Sequence, residues 1–310
     1  MPMKAIITGG TGYIGSNLLE NFIGIDITVC DRTIKKQNLK NPSCFQYIEL
    51  DLIQEPLLKD FELAVQDSQI FIHSSFLGNL EQEKKLIDSI AKLNPDIKFV
   101  YFSSAAVYGD LENEYKENPH ASFSEESLCE PINDYGQVKL KCEELVKNTF
   151  SNHLILRIAN PYDKEVNNKG IYKLFKSKLE QGERTLNLNA DFPEQIIRDF
   201  IHIDDLCKQI TSLITNDQTG TFNISSGKGR TLEDLIQELC ADLKINFQSI
   251  ELNYTGYKPD EIKISVLRAC SKSSQMLGLR VPEEPQLTET SMRTTRGERN
   301  DADGTFRIGS

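Results

Sequence analysis

Thr8-Gly9-Gly10-Thr11-Gly12-Tyr13-Ile14-Gly15 is the stretch that decides the fold. It follows the apolar run Lys4–Thr8 and leads into the amphipathic Ser16-Asn17-Leu18-Leu19-Glu20-Asn21-Phe22, so it reads as a turn between a buried strand and a helix. Glycines allow a tight turn and a close backbone approach to a pyrophosphate, while the helix behind them offers N–H groups and a positive dipole end. A glycine triplet alone is weak evidence. Its setting between strand and helix makes this one specific.

A second apolar run ends in Asp31, 22 residues after Gly9, where a carboxylate accepts hydrogen bonds from an adenosine ribose. Asp51 and Leu52, at the end of a third run, are placed to meet an adenine edge. Asp31 repels a 2′-phosphate and so favours NAD, whereas the neighbouring Arg32 can accommodate that phosphate and leaves NADP open.

Outward from this turn, short Ile-, Val- and Phe-rich runs alternate with helix-length amphipathic segments. The expected strands are Lys4–Thr8, Asp26–Asp31, Phe45–Asp51, Gln69–Ser74, Lys98–Ser103 and His153–Ile158, with helices at about Tyr13–Phe22, Leu80–Leu93 and Asp134–Phe150. Runs without polar alternation are buried on both faces, which implies a doubly wound parallel α/β sheet. After about residue 160 the elements shorten. They are a helical segment Gly170–Gly182, a strand Asp199–Ile203 running into helix Asp205–Ile214, a strand Thr221–Ser225, and a helix opened by the capping box Thr231-Leu-Glu-Asp234.

The 310 residues carry 35 basic and 46 acidic side chains, for a formal net charge of −11, with 39% hydrophobic residues. That is an ordinary globular composition long enough for roughly two domains. The acidic balance, without a basic patch, argues against nucleic-acid and membrane-surface partners. No apolar run reaches the length of about 20 residues that spans a bilayer. MPMKAIITGG passes from one Lys into a strand with no signal-peptide pattern, so a cytoplasmic location is expected. Seven scattered cysteines without a Cys-x-x-Cys pair disfavour disulfides and zinc, and the four separated histidines show no metal-ligand spacing.

Phe102-Ser103-Ser104-Ala105-Ala106-Val107-Tyr108-Gly109 closes the fifth strand at the edge where open α/β sheets bind ligands. Tyr135 and Lys139 follow, four apart on one helix face. An ammonium near a phenol lowers the phenol pKa, which makes Tyr135 a candidate acid/base, with Ser104 bonding the same substrate oxygen.

Taken together, Thr-Gly-x-x-Gly-x-x-Gly, Ser-Ser-Ala-Ala-Val-Tyr-Gly and Tyr-x-x-x-Lys resemble the extended short-chain dehydrogenase/reductases, and within them the nucleotide-sugar epimerase/dehydratase family, over about residues 3–280. Leu156-Arg157-Ile158-Ala159-Asn160-Pro161-Tyr162, Arg198-Asp199-Phe200-Ile201-His202-Ile203-Asp204-Asp205 and Phe222-Asn223-Ile224-Ser225-Ser226-Gly227 extend the similarity. It implies a Rossmann-type NAD(P)-binding domain over 1–160 and a smaller substrate-binding region over 161–282 interleaved with the main sheet; beyond them 283–310 holds few apolar residues and reads as a polar, mobile tail. It also implies a cofactor set of Gly9, Gly12, Tyr13, Ile14, Gly15, Asp31, Arg32, Asp51, Leu52, Ser74, Tyr135 and Lys139, and a catalytic set of Ser104, Tyr135 and Lys139. By the same similarity Asn160 and Arg198 contact the diphosphate of a nucleoside-diphosphate sugar. Lys258, in Lys258-Pro259-Asp260, adds a cation that lacks the bidentate grip of Arg. A homodimer packed through two helices, one bearing Tyr135, is implied as well; His202 reads as a packed residue.

Departures narrow the reading. Ala105 and Ala106 stand where the 4,6-dehydratases carry Asp-Glu, and methyl groups cannot transfer protons, so dehydration is not expected. The segment His73–Asn79 is shorter than the family's loop, although Asn79 keeps the helix-opening Asn, and Asp163 replaces a common Gly. The expected function is hydride transfer at a sugar carbon, C4 in the first reading, with Tyr135 as acid/base. The alternatives are a net 4-keto-sugar reductase or sugar-nucleotide dehydrogenase with exchangeable NAD(P)H, and a non-catalytic dinucleotide sensor.

Overall fold

The apolar runs become the strands of one parallel sheet in the computed structural model, which describes residues 2–54, 57–163, 171–189, 196–255 and 262–268. In chain order the first elements are β1 (Met3–Thr8), α1 (Tyr13–Leu19), β2 (Ile25–Asp31), β3 (Gln46–Glu49), α2 (Lys59–Asp67), β4 (Ile70–His73), α3 (Leu80–Leu93), β5 (Lys98–Ser104), α4 (Glu112–Glu117), α5 (Asp134–Thr149) and β6 (His153–Ile158). They continue with β7 (Asn160–Tyr162), α6 (Ile171–Glu180), β8 (Thr185–Asn189), β9 (Ile197–His202), α7 (Ile203–Thr215), β10 (Gly220–Ile224), β11 (Gly229–Thr231), α8 (Leu232–Asp242), β12 (Glu251–Thr255) and β13 (Ile264–Ser265).

Seven strands pair in the order β3-β2-β1-β4-β5-β6-β10, all parallel. From β1 the chain steps one way through β2 and β3, then returns to β4 and steps the other way. The crevice between β1 and β4 is therefore the topological switch point. Successive strand residues point to opposite faces, and each face has its own core. Ile7, Leu18, Val29, Val100, Leu206 and Ile210 meet on the side of α1 and α7. Ile6, Phe71, Ile87, Phe99, Val146 and Phe150 meet on the side of α2, α3 and α5. This is the expected doubly wound sheet.

Residues beyond 160 serve both layers. β10 pairs with β6 and α7 packs on α1, so the main layer is completed late in the chain. A smaller sheet, β11-β9-β13 with β7 against β9, and the pair β8-β12 surround a third core that includes Phe175, Leu186 and Ile236. Thr231 and Asp234 close the expected capping box, with Thr231 Oγ1 accepting from Asp234 N at 3.0 Å and Asp234 Oδ2 accepting from Thr231 N at 2.8 Å. The 283–310 tail lies outside the described residues. No helix among the described residues is long and apolar enough to cross a membrane.

Some boundaries differ from the sequence expectation. β3 has four residues rather than the run Phe45–Asp51, which leaves Asp51 and Leu52 in the turn after it. β9 stops at His202 because that side chain accepts from Asp204 N and caps α7. The sequence pattern does not mark α2, since its inward stripe is only Phe61 and Val65, one turn apart.

A buried polar network ties α5 to the sheet. Arg157 Nε and Nη2 reach both carboxylate oxygens of Glu143 at 2.8–3.2 Å, Ser103 Oγ donates to Glu143 at 2.6 Å, and Arg157 Nη1 donates to Tyr108 Oη at 2.9 Å. Tyr108 in turn donates to Asn223 Oδ1 on β10 at 2.8 Å. Removing one member of a buried ion pair strands the other charge, so Glu143→Ala is expected to lower unfolding stability by about 3–5 kcal/mol in urea titrations. Glu143→Leu with Arg157→Met should recover most of that loss.

Candidate active site

At the switch point the glycine loop folds onto itself. A Cβ on Gly15 would lie 2.2 Å from the Gly9 carbonyl oxygen and 2.7 Å from Gly10 Cα, so only glycine lets α1 start this close to β1. Gly12 donates its N–H to the Gly9 carbonyl at 3.0 Å and forms the N-cap of α1, with no side chain capping the helix amides. Asp31 reaches back from β2: its Oδ2 accepts from Thr11 N at 2.7 Å and Thr11 Oγ1 at 2.5 Å. Burial pushes the Asp31 carboxyl up, and these donors pull it down. The loop is thereby tied to the acidic residue at the strand end, a role for Thr11 that the glycine pattern did not disclose.

Gly9, Asp31, Arg32, Asp51, Leu52 and Phe76 line an open cleft at this edge. Ser74 turns its hydroxyl to the Thr8 carbonyl at 2.6 Å, and its neighbour Ser75 lines the cleft instead. Tyr13 and Ile14 pack on the α1-side core, and the Tyr13 hydroxyl is buried with no protein hydrogen-bond partner. A glycine turn without covering side chains, uncapped helix amides, an acidic group at the second strand end and an apolar rim at Leu52 together fit a dinucleotide.

The chemical groups stand beside this cleft. Asn133 caps α5 by accepting from Gly136 N at 2.8 Å. A Cβ on Gly136 would lie 2.4 Å from the Ala106 carbonyl oxygen, so the missing side chain brings the start of α5 against the end of β5. That contact brings the Tyr135 end of α5 toward Ser104, whose Oγ accepts from Ala106 N at 3.2 Å. Tyr135 is 44% exposed and meets Phe76 edge-on, with ring centroids 5.3 Å apart.

Lys139 is buried one turn below. Its Nζ donates to the Phe102 carbonyl at 2.8 Å and lies 4.7, 5.0 and 5.9 Å from the ring centroids of Tyr101, Phe76 and Tyr135. The expectation that this ammonium lowers the phenol pKa needs correction. Desolvation holds Tyr135 above its ordinary value; the Ser104 bond pulls it down and the Glu83 carboxylate pushes it up. Burial likewise lowers Lys139, against the pull of Glu83. Neither Phe76 nor Gly136 stands out in the sequence as a site residue. The Asn133 cap, three residues before Gly136, is the local signal for where this helix starts.

On the far side Asn160 Nδ2 donates to the Asp199 carbonyl at 3.2 Å. The Arg198 guanidinium reaches the Lys263 carbonyl at 2.5 Å and also the Ile262 carbonyl, which binds the 262–268 segment to β9. Asp199 is fully buried; burial raises its carboxyl to about 6 while Ser226 and Gly227 donors pull it down. His202 packs its ring against Tyr162 at 5.4 Å. Lys258 lies outside the described residues.

Gly15→Ala must displace the Gly9 carbonyl, and NAD binding measured by isothermal titration should weaken by at least about tenfold, or 1.4 kcal/mol. An unchanged affinity would disprove the role given to the loop.

Comparison with known proteins agrees with this geometry. The ADP-L-glycero-D-manno-heptose-6-epimerase of Brachyspira hyodysenteriae is 27% identical over 286 residues, covering 83% of this chain and 85% of that protein. The UDP-N-acetylglucosamine 4-epimerase from Methanobrevibacter ruminantium, solved in complex with UDP-N-acetylmuramic acid, has a TM-score of 0.73 at 24% identity, covering 91% of this chain and 94% of that one. The Thermus thermophilus UDP-glucose 4-epimerase complex with NAD has a TM-score of 0.73 at 19% identity, covering 90% and 94%. Residues 5–225, more than two thirds of the chain, match the NAD dependent epimerase/dehydratase family, and the chain belongs to that family.

Proposed function

We propose that the chain is a nucleoside-diphosphate-sugar epimerase in which Tyr135 is the acid/base. The observation that carries this reading is the close approach of the start of α5 to the end of β5 at Gly136 and Ala106, which sets Tyr135 and Ser104 on neighbouring elements beside the glycine-loop cleft with Lys139 buried beneath them. NAD, when bound, supplies the reversible hydride acceptor that such a reaction needs. Gly9, Gly12 and Gly15 with the first turn of α1 would hold its pyrophosphate, and Asp31 its adenosine ribose. Asp31 keeps NAD the preferred cofactor.

The chain's own part is proton handling. Ser104 and Tyr135 stand on neighbouring elements at the cleft, so a sugar hydroxyl bound between them would give its proton to Tyr135 while Ser104 orients it. A phenol held above its ordinary pKa is a poor base, and positive charge brought near it by the bound cofactor would correct that. Microscopic reversibility then requires Tyr135 to return the proton when the opposite configuration forms. Ala105 and Ala106 supply no second acid, which supports epimerisation over dehydration.

The reacting carbon is read as C4. The name of the Brachyspira hyodysenteriae relative, a 6-epimerase of an ADP-heptose, favours C6 as the second reading. Asn160 and Arg198 are read as diphosphate contacts, which requires Arg198 to exchange part of its present carbonyl bonding for the ligand. A homodimer packed through α5 and a second helix belongs to the same reading, and sedimentation of the full chain at micromolar concentration checks it.

Incubation with ADP- and UDP-linked hexoses and heptoses, followed by NMR of the product, should show inversion at one carbon without net NADH formation. Tyr135→Phe should reduce turnover by about 10²–10⁴-fold and leave NAD binding in place. Stoichiometric NAD(P)H consumption would replace the epimerase with a reductase. NAD binding without turnover across the panel would make the protein a dinucleotide sensor.

A further inference from the structure

Beneath the active site, β4 and α3 place an imidazole and a carboxylate that the reaction above does not use. His73 and Glu83 are both fully buried, with His73 Nε2 and Glu83 Oε2 at 2.9 Å. His73 Nδ1 lies 2.7 Å from Thr8 Oγ1, which accepts from Ser75 Oγ at 2.9 Å. With the ring neutral and its proton on Nε2, donors run in one direction, from Ser75 through Thr8 and His73 to Glu83. The other carboxylate oxygen, Glu83 Oε1, accepts the Leu77 N–H at 2.9 Å. Every polar atom of the pair is satisfied, and a negative charge is left in the interior without an arginine or lysine bonded to it in this network.

Two neighbours make that charge informative. Leu77 belongs to the loop from Ser74 to Asn79, and the residue before it, Phe76, meets Tyr135 at 5.3 Å and Lys139 Nζ at 5.0 Å. The titratable groups acting on Lys139 are Glu83 from α3, and Cys142 and Glu143 from its own helix, while Tyr101 and Tyr135 present their rings. Of the two carboxylates, Glu143 is already engaged by Arg157 Nε and Nη2 and by Ser103. Glu83 approaches from the other side: its partner His73 stacks on Tyr101 with ring centroids 5.9 Å apart, and Tyr101 is the ring that Lys139 Nζ faces at 4.7 Å. Burial pushes the Glu83 carboxyl up, and His73, the Leu77 N–H and Lys139 outweigh it and hold it below the usual range.

We propose that Glu83 is a positioning residue of the active site. It anchors the Ser74–Asn79 loop through Leu77, so that Phe76 stands against Tyr135, and it is the buried counter-charge that keeps Lys139 an ammonium beneath the phenol. The inference rests on the reading of Tyr135 and Lys139 as the reacting pair.

Glu83→Gln isolates the charge. The amide can keep an oxygen on Leu77 N–H and offer its NH₂ to His73, which changes tautomer to accept it. The test uses the full chain saturated with NAD and labelled with ¹³C at lysine Cε, the Lys139 resonance being assigned with Lys139→Arg. The pH midpoint of Lys139 should fall by at least about one unit in Glu83→Gln, and kcat on whichever sugar nucleotide the wild type converts should fall at least about tenfold at neutral pH. NAD affinity should stay within about twofold. Glu83→Asp, which keeps the charge but withdraws it by one methylene, should give intermediate values. Wild-type values in both variants overturn the proposal, as does a loss of turnover in Glu83→Gln with an unmoved Lys139 midpoint. If Glu83→Gln does not fold, judged by circular dichroism, Glu83→Asp decides alone: its kcat and its Lys139 midpoint must both lie below wild type for the proposal to stand. If the wild type converts no sugar nucleotide, the epimerase reading fails while the lysine titration still decides whether Glu83 sets the charge of Lys139.

Discussion

Thr8 lies opposite His73 where β1 and β4 run side by side, and this register decides where the ligand-facing loops leave the sheet. Both strands end at the same level, so the glycine loop after Thr8 and the Ser74–Asn79 loop after His73 open onto one cleft. A slip of one residue would turn Thr8 and His73 to the opposite face and separate the two loops from their shared hydrogen bonds. The bond between Thr8 Oγ1 and His73 Nδ1 holds the register from inside, where no water competes for either group.

Around this seam the molecule uses close backbone approaches for geometry and buried polar networks for fixity. Gly15 against Gly9 and Gly136 against Ala106 are contacts that a single methyl group would break. The first shapes the dinucleotide cleft, and the second joins α5 to β5 so that Tyr135 and Ser104 stand on neighbouring elements. The Glu143–Arg157–Tyr108–Asn223 network then locks α5, β6 and β10 together. Residues as far apart in the chain as Tyr108 and Asn223 thus share one set of bonds, and α5 cannot drift without breaking it. A rigid α5 suits a site in which Tyr135 must meet a substrate oxygen within hydrogen-bond range.

The two sides of the cleft are built differently. The side proposed to hold the cofactor centres on a turn and its flanking elements, contiguous in sequence from Lys4 to Asp31, with a rim from Asp51, Leu52 and Phe76. The side proposed to meet the substrate draws on Asn160, on β9, and on the 262–268 segment that Arg198 and Asp110 bind to the body. Arg198 bonded to backbone carbonyls holds that segment in place, and the same bonds would have to loosen for a diphosphate to be gripped.

Much of this was present in local sequence. The β1–loop–α1 unit, the alternation that makes a doubly wound sheet, the Asn79 and Thr231 caps, and the shared helix face of Tyr135 and Lys139 all depend on residues within a few positions of one another. Periodicity and capping chemistry record such relations directly. The tertiary structure decided the rest. It put Lys139 on the Phe102 carbonyl, tied Asp31 to Thr11, joined the Ser74 hydroxyl to the Thr8 carbonyl, and set Glu83 beside His73. These outcomes turn on which groups from distant segments are pressed together out of water. There, desolvation and the need to satisfy every buried donor and acceptor outweigh any preference that a short stretch of chain can express.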